Sequence, residues 1–198
     1  MAPLSQLDLN GTYTYADYLT WRLEESVGLI KSKIMAMTTP TPSRKHKGGL
    51  NLSFSLGTYF KQLAGNLYDG LFDIVLYDLR ASLLQDREVF SVVQPDQCVT
   101  CDKVKKLTKQ GYDDPPHWNI EILSLCNNQK ILRLKFQLYQ DSAVTEYSIV
   151  HSYEQTVYQL MLNQQEKYLL HAMHPADEIA TPYLFPDLQI DLNEVFAK

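Results

Sequence analysis

Asp96, Glu121 and Lys135 are the residues of this chain whose types and settings could do chemistry together. Lys135 stands out first. The run from Asn128 to Asp141 has helical periodicity, and at about 100° per residue Ile131, Leu132, Leu134, Phe136, Leu138 and Tyr139 share an apolar arc. Gln129, Lys130, Arg133, Gln137 and Gln140 fall opposite, but Lys135 projects near the middle of the arc. An unpaired ammonium in a core is costly, so this one must run along its neighbours to water or meet a buried anion.

Glu121 is the candidate anion, because it stands inside Trp118-Asn119-Ile120-Glu121-Ile122-Leu123, a run apolar on both faces as a covered central strand should be. A buried ion pair with Lys135 would satisfy both residues. Asp96 is what that explanation leaves over: it follows Gln94-Pro95 at the start of another strand, and a second carboxylate beside Glu121 would be repelled unless a divalent cation bridged the two. Hard oxygens of this kind hold Mg²⁺, which polarises a phosphodiester and acidifies bound water, while an ammonium orients that water or stabilises developing charge. A carboxylate-pair glycosidase could use the two acids but leaves the lysine without a task.

The elements that must position these groups are legible along the chain. A short helix is expected from Thr14 through Glu25, carrying Tyr15, Tyr18, Leu19 and Trp21, then a hairpin of Val27 to Ile30 and Ile34 to Met37 turning at Lys31-Ser32-Lys33. The prolines of Thr39-Pro40-Thr41-Pro42 enforce a loop. A longer helix should carry Leu50, Leu52, Phe54, Leu56, Tyr59, Phe60 and Leu63. Strands follow at Leu71 to Tyr77, Phe90 to Val93, Gln97 to Cys101 and Trp118 to Leu123. A polar excursion from Lys103 to Pro116 holds Lys103, Lys105, Lys106 and Lys109. After the helix ending at Asp141 come strands at Glu146 to Val150, Thr156 to Leu162 and Lys167 to His171, then Leu188-Gln189-Ile190 and a short helix that Asp191 would N-cap. Helices mixed with a central sheet indicate an α/β or α+β fold.

Composition bounds the answer without deciding it. At 198 residues, 45% hydrophobic and 21% charged, the chain is expected to be one globular domain, 1–198. A net charge of -5 argues against a surface that grips nucleic acid everywhere, yet permits a local basic groove. No apolar run approaches bilayer length, and Met1 to Gly11 has neither the basic stretch nor the apolar core of a leader, so neither a membrane partner nor an anchor is expected. Three cysteines, Cys98, Cys101 and Cys126, cannot all pair, which fits the cytoplasm. Cys98-x-x-Cys101 lies in a β-branched run and is expected to be buried structural cysteine rather than a zinc or redox site.

The pattern Pro95-Asp96 followed by Glu121-Ile122-Leu123 resembles the PD-(D/E)XK nuclease superfamily, with Leu123 where its lysine normally sits and Lys135 as a migrated replacement. Over almost its whole length the chain further resembles the Uma-two family, described as putative restriction endonucleases. The carriers include Tyr13-Thr14-Tyr15-Ala16-Asp17-Tyr18-Leu19, Phe72-Asp73-Ile74, Val92-Val93-Gln94-Pro95-Asp96, Glu121-Ile122-Leu123-Ser124, Lys135-Phe136-Gln137-Leu138-Tyr139, Glu146-Tyr147 and Phe185-Pro186-Asp187-Leu188. The resemblance implies a restriction-endonuclease-like α/β fold, a mixed central sheet flanked by helices, and Mg²⁺-dependent DNA cleavage, with Mn²⁺ as a substitute. Asp96 and Glu121 would be the metal ligands and Lys135 the third catalytic group. Homodimers would suit the cutting of both strands.

Departures from the family pattern are specific. Gly28 stands where the family has an acidic residue, His117 where Pro-Asp is common, Ser32 for the hairpin glycine, Ser148 for a tryptophan, and His151 for an aspartate or asparagine. They leave open a second class, a degenerate nuclease fold serving as a nucleic-acid-binding or dimerisation module. Arg44, Lys45 and His46, with Lys47, form a basic loop that could contact DNA phosphates or simply be solvated. His171 and His174 lack an evident third ligand and are expected to be surface residues.

Overall fold

A computed structural model of the chain describes residues 4–25, 27–36, 43–62, 65–70, 72–78, 88–101, 111–112, 114–123 and 129–197. These form two compact units. The first draws on residues 1–39, 72–94 and 106–115, and the second on 40–71, 95–105 and 116–198.

In the first unit, helix α1 (Tyr15–Thr20) begins where expected because Thr14 caps it, but it stops short of the expected Glu25, the backbone turning extended at Trp21. Thr14 Oγ1 accepts from the Asp17 amide at 3.1 Å, and Asp17 Oδ2 accepts from the Thr14 amide at 2.7 Å. These bonds hold the Asp17 pKa below its ordinary value. Strands β1 (Val27–Ile30) and β2 (Lys33–Ala36) form the hairpin, turning through Lys31 and Ser32 at φ 50° and 63°. Two positive φ angles match the right-handed twist of the strands, though neither residue is a glycine. Strands β4 (Asp73–Tyr77), β5 (Phe90–Val93) and β7 (Gly111–Tyr112) complete a sheet of order β2-β1-β5-β4-β7. Leu29, Phe90 and Val92 pack under Tyr13, Tyr15, Tyr18 and Trp21. Gly28 is buried in β1, and Gly70 is the one glycine with positive φ among the described residues, so the backbone conformation at position 28 does not itself require glycine.

The second unit holds a six-stranded sheet of order β11-β10-β9-β8-β6-β3. Its strands are β3 (Asn66–Asp69), β6 (Gln97–Thr100), β8 (Trp118–Leu123), β9 (Glu146–His151), β10 (Thr156–Leu162) and β11 (Tyr168–Pro175). β8 and β9 are parallel and the other neighbours antiparallel. Parallel neighbours need a crossover, and α3 (Gln129–Asp141) supplies it. Phe136 and Tyr139 set their rings against Tyr147, at 6.3 and 5.2 Å between centroids. The other side of the sheet packs Trp118, Ile120 and Ile122 with Leu52, Leu56 and Phe60 of α2 (Ser43–Phe60). A Cβ on Gly49 would come within 3.3 Å of Ile122 Cδ1, so glycine permits the close approach of that helix. Short strands β12 (Ile179–Ala180) and β13 (Ile190–Asp191) pair, and Asp191 caps α4 (Leu192–Val195) as its sequence announces. This is a mixed sheet with a helix on each face.

Several expectations need correcting. The helical stripe buried by α2 is Leu52, Leu56 and Phe60, spaced four apart, whereas Leu50 and Phe54 are exposed and Leu63 lies outside the described residues. Arg44, Lys45 and His46 belong to the first turn of α2 rather than to a loop before it. Their side chains lie outside the described residues. Gln140, placed on the polar side of α3, is buried because its Oε1 accepts from the Tyr168 amide at 2.9 Å. Strands β3 and β12 carry no alternation strong enough to announce them. The lysines of the polar excursion, Lys103, Lys105, Lys106 and Lys109, fall outside the described residues.

At its end α3 closes with Val144 N donating to Tyr139 O at 3.0 Å and Ala143 N to Gln140 O at 3.2 Å, Ala143 standing at φ 59°. That is a Schellman stop built on alanine where glycine is usual.

Candidate active site

All three residues read from the sequence as one site lie in the second unit. Glu121 comes from β8, an interior strand, and is 4% exposed. Lys135 comes from α3, whose crossover brings it back over the strand that precedes it. Its Nζ lies 2.6 Å from Glu121 Oε1, with the two side chains 12% and 5% exposed. The lysine in the apolar arc thus meets a buried carboxylate rather than running to water.

Asp96 enters β6. Gln97 pairs with Ile120, and one further step along that register sets Asp96 across from Glu121. Asp96 Oδ2 accepts from the amide of Ile122 at 2.7 Å, which orients the carboxylate beside Glu121. Burial is the largest influence on Glu121 and raises its pKa, and the charge of Asp96 adds to the rise. The Lys135 ammonium and the hydroxyl of Tyr139 oppose it.

Tyr139 is the partner that sequence reasoning missed. Its hydroxyl donates to Glu121 Oε1 at 2.7 Å. The signal was present, since Tyr139 follows Lys135 by one helical turn and must project alongside it. Asn119 also shares the strand face of Glu121, and it is fully buried with neither side-chain polar atom hydrogen-bonded. Its burial follows from the covered strand that the sequence announces, but not its lack of a partner.

The donor set suits Mg²⁺, which is commonly held by one or two carboxylates and completed by water. Among the described residues no group of three or more His, Cys, Asp and Glu side chains is spaced to hold a metal ion. His174 instead faces Glu178 Oε2 at 3.0 Å and Gln159 Oε1 at 3.3 Å, and the ring of His171 lies against Tyr183. Cys98 is buried, with its thiol pKa pushed up to about 12 by burial. Cys101 is exposed, contrary to expectation, because β6 ends at Thr100 and leaves it just outside the sheet. Cys126 lies outside the described residues.

Glu146 of β9 is a further buried acid, and its place is structural. Its two oxygens accept from the amides of Tyr183 and Leu184 at 3.2 and 2.9 Å, tying down the segment that carries Phe185. In the first unit a cleft of about 420 Å³ is bordered by Tyr18, Trp21, Arg22, Glu25, Asp73 and Gln94. Asp73 there accepts from Tyr18 and Gln94, at 3.0 and 2.8 Å, and burial raises its pKa.

The site is thus an acid–lysine pair buried at an interior strand of a mixed sheet flanked by helices. The chain is similar in fold to the crystal structure of a putative nuclease from Anabaena variabilis, with a TM-score of 0.70 over 93% of this chain and 98% of that one, at 18% identity. It belongs to the Uma2 family, described as "Putative restriction endonuclease", which matches residues 15–193. No curated protein matches it. Among the described residues no helix is long and apolar enough to cross a membrane.

Proposed function

We propose that this chain is a Mg²⁺-dependent endonuclease that hydrolyses phosphodiester bonds in DNA. The observation that carries the reading is the 2.6 Å contact of Lys135 Nζ with Glu121, beside a second carboxylate that the Ile122 amide holds in place. Held by Asp96 and Glu121, Mg²⁺ or Mn²⁺ would polarise the phosphodiester and lower the pKa of water. The chain's own groups do the remainder. Ile122 N fixes Asp96, Tyr139 fixes Glu121, and the Lys135 ammonium orients water or stabilises charge growing on the phosphoryl oxygens. Arg44, Lys45 and His46, in the first turn of α2, are the proposed phosphate contacts. The cytoplasm, where thiols stay reduced, is the proposed location.

A second reading has its own support. Both donors to Glu121 meet the same oxygen of a nearly inaccessible side chain, as suits a buried ion pair in a nuclease fold that binds nucleic acid without cutting it. Plasmid nicking in Mg²⁺, in Mn²⁺ and in chelator separates the two, using wild type, Asp96→Ala and Lys135→Ala. Metal-dependent nicking by wild type that both variants lose supports the enzyme. Wild type that binds DNA in a gel-shift assay yet nicks no faster than either variant supports the binding module.

A further inference from the structure

Three carboxylates withdrawn from water in this chain are compensated in different ways. Glu121 meets the Lys135 ammonium, and Glu146 meets two backbone amides. Asp73, at the start of β4, has only neutral partners among the described residues. The Tyr18 hydroxyl is shared between its two oxygens at 3.1 and 3.0 Å, and the Gln94 amide donates to Oδ1. Burial therefore raises the Asp73 pKa with no cation to oppose the rise. An ionised carboxylate offers about four acceptor positions, so these two donors leave room for further ones. Asp73 borders the first unit's cleft of about 420 Å³, a volume in the range of small-molecule sites. Tyr18 and Trp21 border it too, their ring centroids 5.7 Å apart and their planes at 61°, so that two non-parallel aromatic surfaces stand beside the acid. Glu25 adds a second carboxylate, whose Oε2 accepts from the Leu4 amide at 3.0 Å. The cationic side chain of the lining, Arg22, donates to the carbonyls of Leu19 and Trp21 at 3.2 and 2.8 Å.

We propose that this cleft binds an alkylguanidinium, whose planar fork donates to Asp73 while the rest of the cation lies against Tyr18 and Trp21. Charge sets the class of ligand. Two carboxylates against one arginine repel a phosphate-bearing molecule and draw in a cation. The aromatic rings add to this, because the negative face of a π-system attracts a cation placed over it. Geometry then separates one cation from another. A carboxylate with acceptor positions to spare suits a guanidinium, which gives two parallel N–H bonds, better than an ammonium, which is a point charge. Such a group comes either from a free alkylguanidine or from an arginine side chain of a partner protein. None of Asp96, Glu121 and Lys135 lines the cleft, so the inference does not rest on the nuclease reading.

The two tryptophans make the test direct, because Trp21 borders the cleft while Trp118 Nε1 donates to Ser148 Oγ at 2.9 Å in the second unit. Nitrogen-15-labelled full chain is titrated and the two indole N–H signals are followed by NMR. The probes are n-butylguanidinium, a capped arginine, n-butylammonium, neutral n-butylurea and dGMP. Both guanidinium probes should move the Trp21 signal and leave that of Trp118 in place. n-Butylammonium should bind about threefold more weakly, and n-butylurea should not bind. Asp73→Asn keeps an oxygen for the Tyr18 hydroxyl and should raise the Kd of n-butylguanidinium at least about tenfold. Glu25→Gln keeps an acceptor for the Leu4 amide and should raise it about threefold. A capped arginine that binds more tightly than n-butylguanidinium supports the cleft as a docking point for a partner's side chain, and the reverse order supports a free alkylguanidine. A Trp21 signal that neither guanidinium moves up to about 10 mM overturns the proposal. Binding that n-butylurea matches, that dGMP exceeds, or that Asp73→Asn leaves unchanged overturns it as well. Should Asp73→Asn fail to fold, Glu25→Gln and the comparison of n-butylguanidinium with n-butylurea still decide.

Discussion

Lys135 and Tyr139, one turn apart on α3, converge on a single atom: Nζ and the hydroxyl reach Glu121 Oε1 at 2.6 and 2.7 Å. A carboxylate so buried is tolerated because a charge and a directed donor meet it together. The i, i+4 spacing explains why one helix can deliver both. It also makes the two residues separable by mutation, since one supplies charge and the other only a hydrogen bond.

Lys135→Met should destabilise the fold by about 3 kcal/mol at neutral pH, because it leaves Glu121 buried without its cation. Urea denaturation measures this. Glu121→Gln with Lys135→Met should recover much of the loss, and a double variant no more stable than Lys135→Met would show that the pair is not the source of the effect.

Tyr139→Phe should cost about 1.5–3 kcal/mol, the range for a buried hydrogen bond to a charged group. In nicking assays its effect should be smaller than that of Lys135→Ala, because the ammonium stays. Equal loss in the two variants would assign Tyr139 more than a positioning part.

Under the nuclease reading, Mn²⁺ at ten times its Kd should stabilise wild type by about 1.4 kcal/mol, by mass action on the folded state. Asp96→Asn should abolish the shift while leaving an oxygen for the Ile122 amide. A melting curve that does not respond to millimolar Mn²⁺ or Mg²⁺ would count against a working metal site.

Stability should depend on pH through Glu146. Burial raises its pKa, against the lowering effect of the Leu184 and Tyr183 amides. A carboxyl whose folded pKa lies above its unfolded value of about 4.3 binds more proton when folded. Stability therefore falls as pH rises from there through the folded pKa. Glu146→Gln should flatten this decline, as read from urea midpoints across the acid range, while Glu121, raised in the same direction, keeps its own share. A steeper decline in the variant would reverse the assigned sign.

Ser32→Gly should stabilise the chain by about 1 kcal/mol. Ser32 stands at φ 63° and its buried hydroxyl has no hydrogen-bond partner, so glycine relieves a backbone strain and removes an unsatisfied polar atom. Thermal melts test it, and a lowered midpoint would show that the hydroxyl holds an ordered water.

Local chemistry made much of this protein legible from its sequence. The Asp191 cap, the hairpin turn, the covered strand Trp118–Leu123 and the misplaced Lys135 all follow from the identities of near neighbours, because capping, turn geometry and amphipathic period act over a few residues. An ion pair between Glu121 and Lys135 could be expected because two costly burials each needed a partner. Strand order could not be read this way. That β8 pairs with β9 in parallel, so that α3 crosses back and Lys135 and Tyr139 fall on one oxygen, was decided by packing between residues distant in sequence. The same holds for Gln140, polar by period yet buried because β11 passes close enough for the Tyr168 amide to donate to it. Periodicity states which way a side chain points along its own element, and only the neighbouring elements decide what it meets there.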